Sequence, residues 1–277
     1  MVIELSRHGE RASKANFKNL TIGDSFAVGS KELTKTGATS HHNIGKQLRK
    51  EFAEADLLNT KKYDPSQVYV QSTYKHRTIH SANAQLEGIF GKDMTWPPKN
   101  HTAYHINYVP LKEDGMMMMS NETCPRLTGA FHALRNDEGT KAMYERNKEY
   151  LEPIIYKQLR EKTGLMNATE SDLVDIANFI DWTMRDDRQV NLKLTPQELA
   201  LIEAVIETQV YKDIGAVPEQ TYLPVWELLQ TVGELSRSLS GRLEFNNTSV
   251  FHKYAKERKK APVKKLPKFV FFSGHCE

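Results

Sequence analysis

The first ninety residues alternate between two kinds of apolar spacing, and this alternation narrows the possible folds more than any other feature of the chain. Residues 2–6 form a short β-type run that breaks at Arg7 into polar and basic residues, as a strand does when it runs out into a loop. After a loop through Gly23 and Gly29, residues 34–54 place Ile44, Leu48 and Phe52 at helical spacing, with Thr34 or Thr36 available as a cap. Residues 66–71 read as a second short strand, and residues 78–90 return to helical spacing through Ile79, Ala82, Leu86 and Ile89. Strand, helix, strand, helix is the rhythm of an α/β protein, and it predicts a mainly parallel sheet flanked by helices.

The middle of the chain changes character. Residues 150–159, 171–184, 196–211 and 224–239 read as amphipathic helices, separated by loops that carry Gly164, Gly215 and Pro218. The expected organisation is a discontinuous α/β core, residues 1–90 and 225–277, with a mostly helical cap inserted at 91–224. A chain of 277 residues is long enough for such a core with an inserted subdomain. A basic helix at 250–260 and a connector with Pro262 and Pro267 then lead to the apolar strand 269–272 and the polar ending Ser273-Gly-His-Cys-Glu277. A polar motif at a strand's end normally leads into covering structure, so this ending is expected of a fragment of a longer protein.

Composition removes several function classes. The net charge of +3 is small for this length and makes no general case for nucleic acid or a membrane surface. No window approaches the roughly 18 consecutive apolar residues of a membrane helix, and no cleavable leader precedes the first strand, so a soluble chain is expected. Cys124 and Cys276 are too few for a disulfide framework or a cysteine zinc site. The acceptor pattern Asn-x-Ser/Thr begins at Asn19, Asn100, Asn121, Asn167, Asn246 and Asn247, where about two matches would arise by chance. That excess favours a glycoprotein of the secretory or lysosomal route. The lysines of residues 252–265 lie at helical spacing before a core strand and read as a solvated face, not a nucleic-acid patch. His41 and His42 read as packing or surface groups, and Met116 to Met119 as core filler.

Three strand ends carry the chemistry. Arg7, His8 and Arg11 follow the first strand, Arg77 comes shortly after the second, and His275 with Glu277 follows the last. In open α/β sheets the ligand crevice lies beyond the carboxyl ends of the strands, so these groups can converge although they are far apart in sequence. Guanidinium forks match phosphate oxygens, and a neutral imidazole can attack phosphorus without first losing a proton. Gly9 would allow a tight backbone turn there. A carboxylic acid must then protonate the leaving oxygen, and Glu277 and Glu10 are the candidates. No metal or other cofactor is expected, because the arginines supply the charge a metal would.

These blocks resemble the histidine acid phosphatases, the larger-capped branch of the histidine phosphatase superfamily, whose fold is phosphoglycerate mutase-like. Arg7-His-Gly-Glu-Arg11 is similar to the family's RHGxR signature, and Leu33-Thr-Lys-Thr-Gly37, with His41, Gly45 and Leu48-Arg49, to its LTxxGxxxH segment. The stretch from Val68 through Ser72-Thr73 to Arg77-Thr78 and Ser81-Ala82 resembles its VYxRSTxxxRT block, and Cys124-Pro-Arg126 its CPR element. The resemblance implies that His8 is the nucleophile, that Arg7, Arg11, Arg77 and His275 bind the phosphoryl group, and that an acid near His275 is the proton donor.

Two departures stand out. Many members have Asp directly after that histidine, whereas here Cys276 and then Glu277 follow. This is similar to the His-Ala-Glu of multiple inositol polyphosphate phosphatases and assigns the acid to Glu277, with Glu10, the acid position of the mutase-like branch, at the pocket rim. Gln71 replaces the common Arg before Ser-Thr. Relatives pair the equivalent of Cys124 with a cysteine beyond residue 277, so Cys124 is expected to be unpaired. The expected function is hydrolysis of phosphate monoesters through a phosphohistidine. A phosphate-binding protein without turnover and a phosphoglycerate mutase-like phosphotransferase are the alternatives. The expected partner is a small-molecule phosphomonoester; no nucleic acid is expected, and a homodimer stays open.

Overall fold

The structure is a computed structural model. It describes residues 1–12, 28–97, 104–118, 122–125, 157–167, 175–180, 195–200, 226–239 and 267–275, with single positions at 129, 138, 142, 152, 183, 203 and 204. Among the described residues a parallel sheet forms from β1 (Val2–Arg7), β2 (Val68–Ser72), β3 (Asn107–Tyr108) and β4 (Phe269–Gly274), in the spatial order β1-β4-β2-β3. Helices α1 (Lys35–Glu54) and α2 (His76–Ile89) connect β1 to β2 and follow β2. The α/β reading therefore holds, with parallel strands throughout.

The chain divides into two compact units. The first comprises Met1–Gly9, Gly37–Pro125 and Tyr222–Glu277, and the second Glu10–Thr36 and Arg126–Thr221.

In the first unit β4 is the central strand, and its sequence explains why. All six of its residues are buried, with Phe269, Val270 and Phe271 fully so and Phe272 at 1% exposure. A run that is apolar on both faces suits a parallel strand covered on both sides. Phe269 and Phe271 join Phe52, Val68, Val70, Leu86 and Ile89 in a core under α1 and α2. Val270 and Phe272 point the other way, into a second cluster with Tyr69, Met116 and Leu235. Leu235 belongs to the helix Trp226–Leu239, which covers that face with Leu228 and Val232. Each buried Phe contributes about 1.5–3 kcal/mol relative to exposure, so this four-residue stretch anchors both layers.

Helices α1 and α2 cross at glycines. A Cβ on Gly45 would stand 2.0 Å from the Gln85 carbonyl oxygen, and one on Gly88 would stand 2.2 Å from that of His42. Their absence lets the two backbones touch.

In the second unit, Leu159, in the helix Lys157–Thr163, and Ile176, Phe179 and Ile180 are buried. Lys162 and Glu198 form an ion pair at 2.7 Å. Strand β3 and the 3-10 turn Leu111–Glu113 went unread in the sequence because two or three residues are too few to show a period. The basic helix expected at 250–260 lies outside the described residues, as do five of the six glycosylation acceptors; Asn167 is described and exposed.

Candidate functional site

Strand register builds the site. Arg7 of β1 pairs with Gly274 of β4, and Ser72 of β2 with Ser273, so three strands end almost level. The residues that follow, His8, His275 and Thr73, form a row just beyond the carboxyl edge of the sheet. Backbone bonds hold it: the His8 N–H donates to the Gly274 carbonyl at 2.9 Å, and the Thr73 N–H to that of Ser273 at 3.2 Å.

The loop after β1 passes very close to α1. A Cβ on Gly9 would lie 2.5 Å from the Gly37 carbonyl oxygen, an approach that only glycine permits. The Gly9 N–H donates to Ser81 Oγ at 2.9 Å, and Ser81 Oγ donates to the Arg77 carbonyl at 2.7 Å. The His8 loop is thereby tied to α2.

His8 is 4% exposed. Its Nδ1–H donates to the Gly9 carbonyl at 2.7 Å, which puts the proton of a neutral ring on Nδ1 and a lone pair on Nε2. Nε2 is buried and has no hydrogen-bond partner among the described residues. Burial pushes the imidazole down from 6.5 to about 3; the Gly9 carbonyl opposes this, while Arg7, Arg77 and His275 add to it. The ring is neutral throughout the mildly acidic range.

Around it the field is positive. His275 meets His8 nearly edge to face, with ring centroids 5.1 Å apart. Arg77, in the first turn of α2 and 8% exposed, places Nη2 3.2 Å from His275 Nδ1. The first turn of α2 has no acidic residue, and its N-cap Lys75 makes no side-chain capping bond, so nothing in the helix's own first turn offsets its positive end beside this row. Arg7 is exposed at the end of β1.

Of the residues expected from sequence, the structure brings His8, Arg7, Arg77 and His275 together. Arg11 and Glu10 belong to the second unit, where Arg11 forms an antiparallel bridge with Leu33 and bonds the Ala12 carbonyl through Nη1 at 3.1 Å. Glu10 Oε1 accepts from Thr34 Oγ1 at 2.7 Å. Glu277 and Cys276 lie outside the described residues, and Cys124 is a free cysteine. Gln71 is 2% exposed and accepts from the Tyr69 hydroxyl at 2.7 Å, while its Nε2 has no partner among the described residues.

Other residues that shape the site escaped the sequence reading. His41 was expected to be a packing or surface group. It is 3% exposed, bonds the Arg7 carbonyl, and donates from Nδ1 to Gln85 Oε1 at 3.0 Å. Gln85 Nε2 in turn donates to both oxygens of Glu4, at 2.7 and 2.8 Å. This chain braces the end of β1. Thr73, Thr78 and Ser81 belong to the block singled out in the sequence but were given no role there; strand register alone makes Thr73 a neighbour of His275.

Chemically, the arrangement offers a neutral imidazole with an unshared lone pair, set among groups that attract an oxyanion. The family model for the histidine phosphatase superfamily (branch 2) matches residues 1–199. Lysosomal acid phosphatase of Bos taurus is 28% identical over 242 residues, 84% of this chain and 46% of that protein. Prostatic acid phosphatase of Homo sapiens is 30% identical over 129 residues, 43% of this chain and 31% of the other. The chain spans less than half the length of the curated relatives it matches. Among solved structures, the phytase from Citrobacter braakii superposes with a TM-score of 0.56 at 15% identity, over 99% of this chain and 71% of that one, a likeness of fold. The family match runs over most of the sequence and includes the signature around His8, and the chain belongs to branch 2 of the histidine phosphatase superfamily.

Proposed function

We propose that this chain hydrolyses phosphate monoesters through a phosphohistidine formed on His8. The observation that carries the reading is His8 Nε2: buried, unpartnered among the described residues, and left with its lone pair by the Nδ1–H bond to Gly9. A phosphoryl group held by Arg7 and Arg77, beside His275, would present phosphorus to that lone pair. Negative charge on the phosphoryl oxygens draws on the same cations in the transition state, where preorganised charge has its largest effect. As the N–P bond forms, the ester P–O bond breaks, and the leaving oxygen takes a proton from the Glu277 carboxylic acid. Water attacks the phosphohistidine next, giving its proton to the Glu277 carboxylate and releasing phosphate from His8.

The relatives named as lysosomal and prostatic acid phosphatases support this reading and a lysosomal or secreted location. The test is phosphate release from an aryl phosphate by the wild-type chain and by His8→Ala, with acid-quenched trapping of labelled phosphohistidine. Turnover and label are expected in the wild type alone. Retained turnover in the variant overturns the assignment, phosphate affinity without turnover in the wild type favours a binding protein, and activity dependent on a bisphosphoglycerate favours a phosphotransferase.

A further inference from the structure

Behind His275 runs a chain of hydroxyl groups whose direction can be worked out from both ends. Thr78 Oγ1 has one proton and two carbonyl neighbours, Lys75 O at 2.7 Å and Thr73 O at 3.2 Å. A carbonyl only accepts, so the Thr78 proton is committed to one of them. Thr73 Oγ1, 2.8 Å from Thr78 Oγ1, must then donate to it. That leaves Thr73 a lone pair for His275 Nε2 at 3.0 Å, which therefore carries a proton. At the other end, Arg77 Nη2 approaches His275 Nδ1 at 3.2 Å, and a guanidinium can only donate, so Nδ1 carries none. Two independent starting points give the same ring: Nε2–H, with Nδ1 as acceptor.

We propose that Thr73 is the positioning residue that fixes His275 in this tautomer and ring orientation, so that Nδ1 accepts from Arg77 and holds that guanidinium in place at the strand ends. This rests on the reading of Arg77 as a phosphate-binding residue. Thr73 and Thr78 are both fully buried, so water does not compete for the bond between them. Ser273 Oγ, which donates to the Thr78 carbonyl at 3.0 Å, ties the same turn to β4 next to His275. Loss of the Thr73 hydroxyl would take away the acceptor that fixes the Nε2–H, and the ring would flip or shift its proton to Nδ1, opposite a guanidinium that cannot accept it.

The test uses the full chain labelled with 15N-histidine, with the His275 signal assigned by its loss in His275→Gln. Two-bond 15N–1H correlation distinguishes the two tautomers without any catalytic assay. The expected result is a pure Nε2–H pattern in the wild type and in Thr73→Ser, and a mixed or Nδ1–H pattern in Thr73→Val. Inorganic phosphate should bind roughly tenfold more weakly to Thr73→Val, with Thr73→Ser close to wild type. Thr78→Val, which removes the acceptor for Thr73 while keeping the His275 contact, should give an intermediate loss. An Nδ1–H ring in the wild type, or a pure Nε2–H ring in Thr73→Val, overturns the proposal. If the tautomer responds as expected but phosphate affinity does not, the role of Arg77 in binding fails while the role of Thr73 stands.

Discussion

His8 should resist protonation, and the cost of doing so should be visible as acid lability that a single substitution removes. In water the ring would take a proton near 6.5; in the fold, burial and the neighbouring cations lower this to about 3. At about 1.4 kcal/mol per pH unit, the charged ring is about 5 kcal/mol less favourable in the folded protein than in water. Between these two values the unfolded chain binds a proton that the folded chain does not. Stability therefore falls as pH drops through 6.5 and levels off only below about 3. From pH 6 to pH 4 the loss from this one group is about 2.5 kcal/mol. His8→Asn has no ring to titrate and should not show it. Urea unfolding of both proteins at several pH values in that window, without phosphate, should give curves that converge by about 2.5 kcal/mol as pH falls. Parallel curves would refute the argument, as would a wild-type His8 whose NMR titration midpoint stays near 6.5.

Two further outcomes follow from contacts described above. Arg77→Lys keeps a positive charge but loses the guanidinium fork beside His275, so calorimetry should find inorganic phosphate bound about tenfold or more weakly; unchanged affinity would mean that the fork has no role. Gly88→Ala places a methyl group 2.2 Å from the His42 carbonyl oxygen and should cost about 1–3 kcal/mol in denaturant unfolding, whereas a change below about 0.5 kcal/mol would show that the helices can part freely.

Much of this architecture was legible because it depends on periodic or compositional signals. Residues 269–272 are apolar at every position, and such a run has to lie in the middle of a covered sheet. The spacing of residues 34–54 anticipated α1 to within a residue. The cationic strand ends pointed to Arg7, His8, Arg77 and His275 because in this topology strand ends share one edge. What was not legible is whatever depends on register and rotamer. Thr73 becomes a partner of His275 only because Ser72 aligns with Ser273, and no local property of Thr73 carries that information. His41 was read only as a packing or surface group for a related reason: its helical spacing fits packing, and its bond to the Arg7 carbonyl depends on how closely α1 approaches β1.

The spatial order β1-β4-β2-β3 also sets a timetable for assembly. On a ribosome, β1 and β2 emerge early, yet neither is the other's neighbour; the strand that joins them lies roughly 200 residues further along. Until it arrives, β1 has no partner among the described strands, and His8 lacks the Gly274 carbonyl that holds its backbone. A nascent chain therefore carries the nucleophile candidate long before it carries the site, and for that interval depends on whatever shields an open strand edge from aggregation. Insertion of β4 would build the core and the row of His8, His275 and Thr73 in one event.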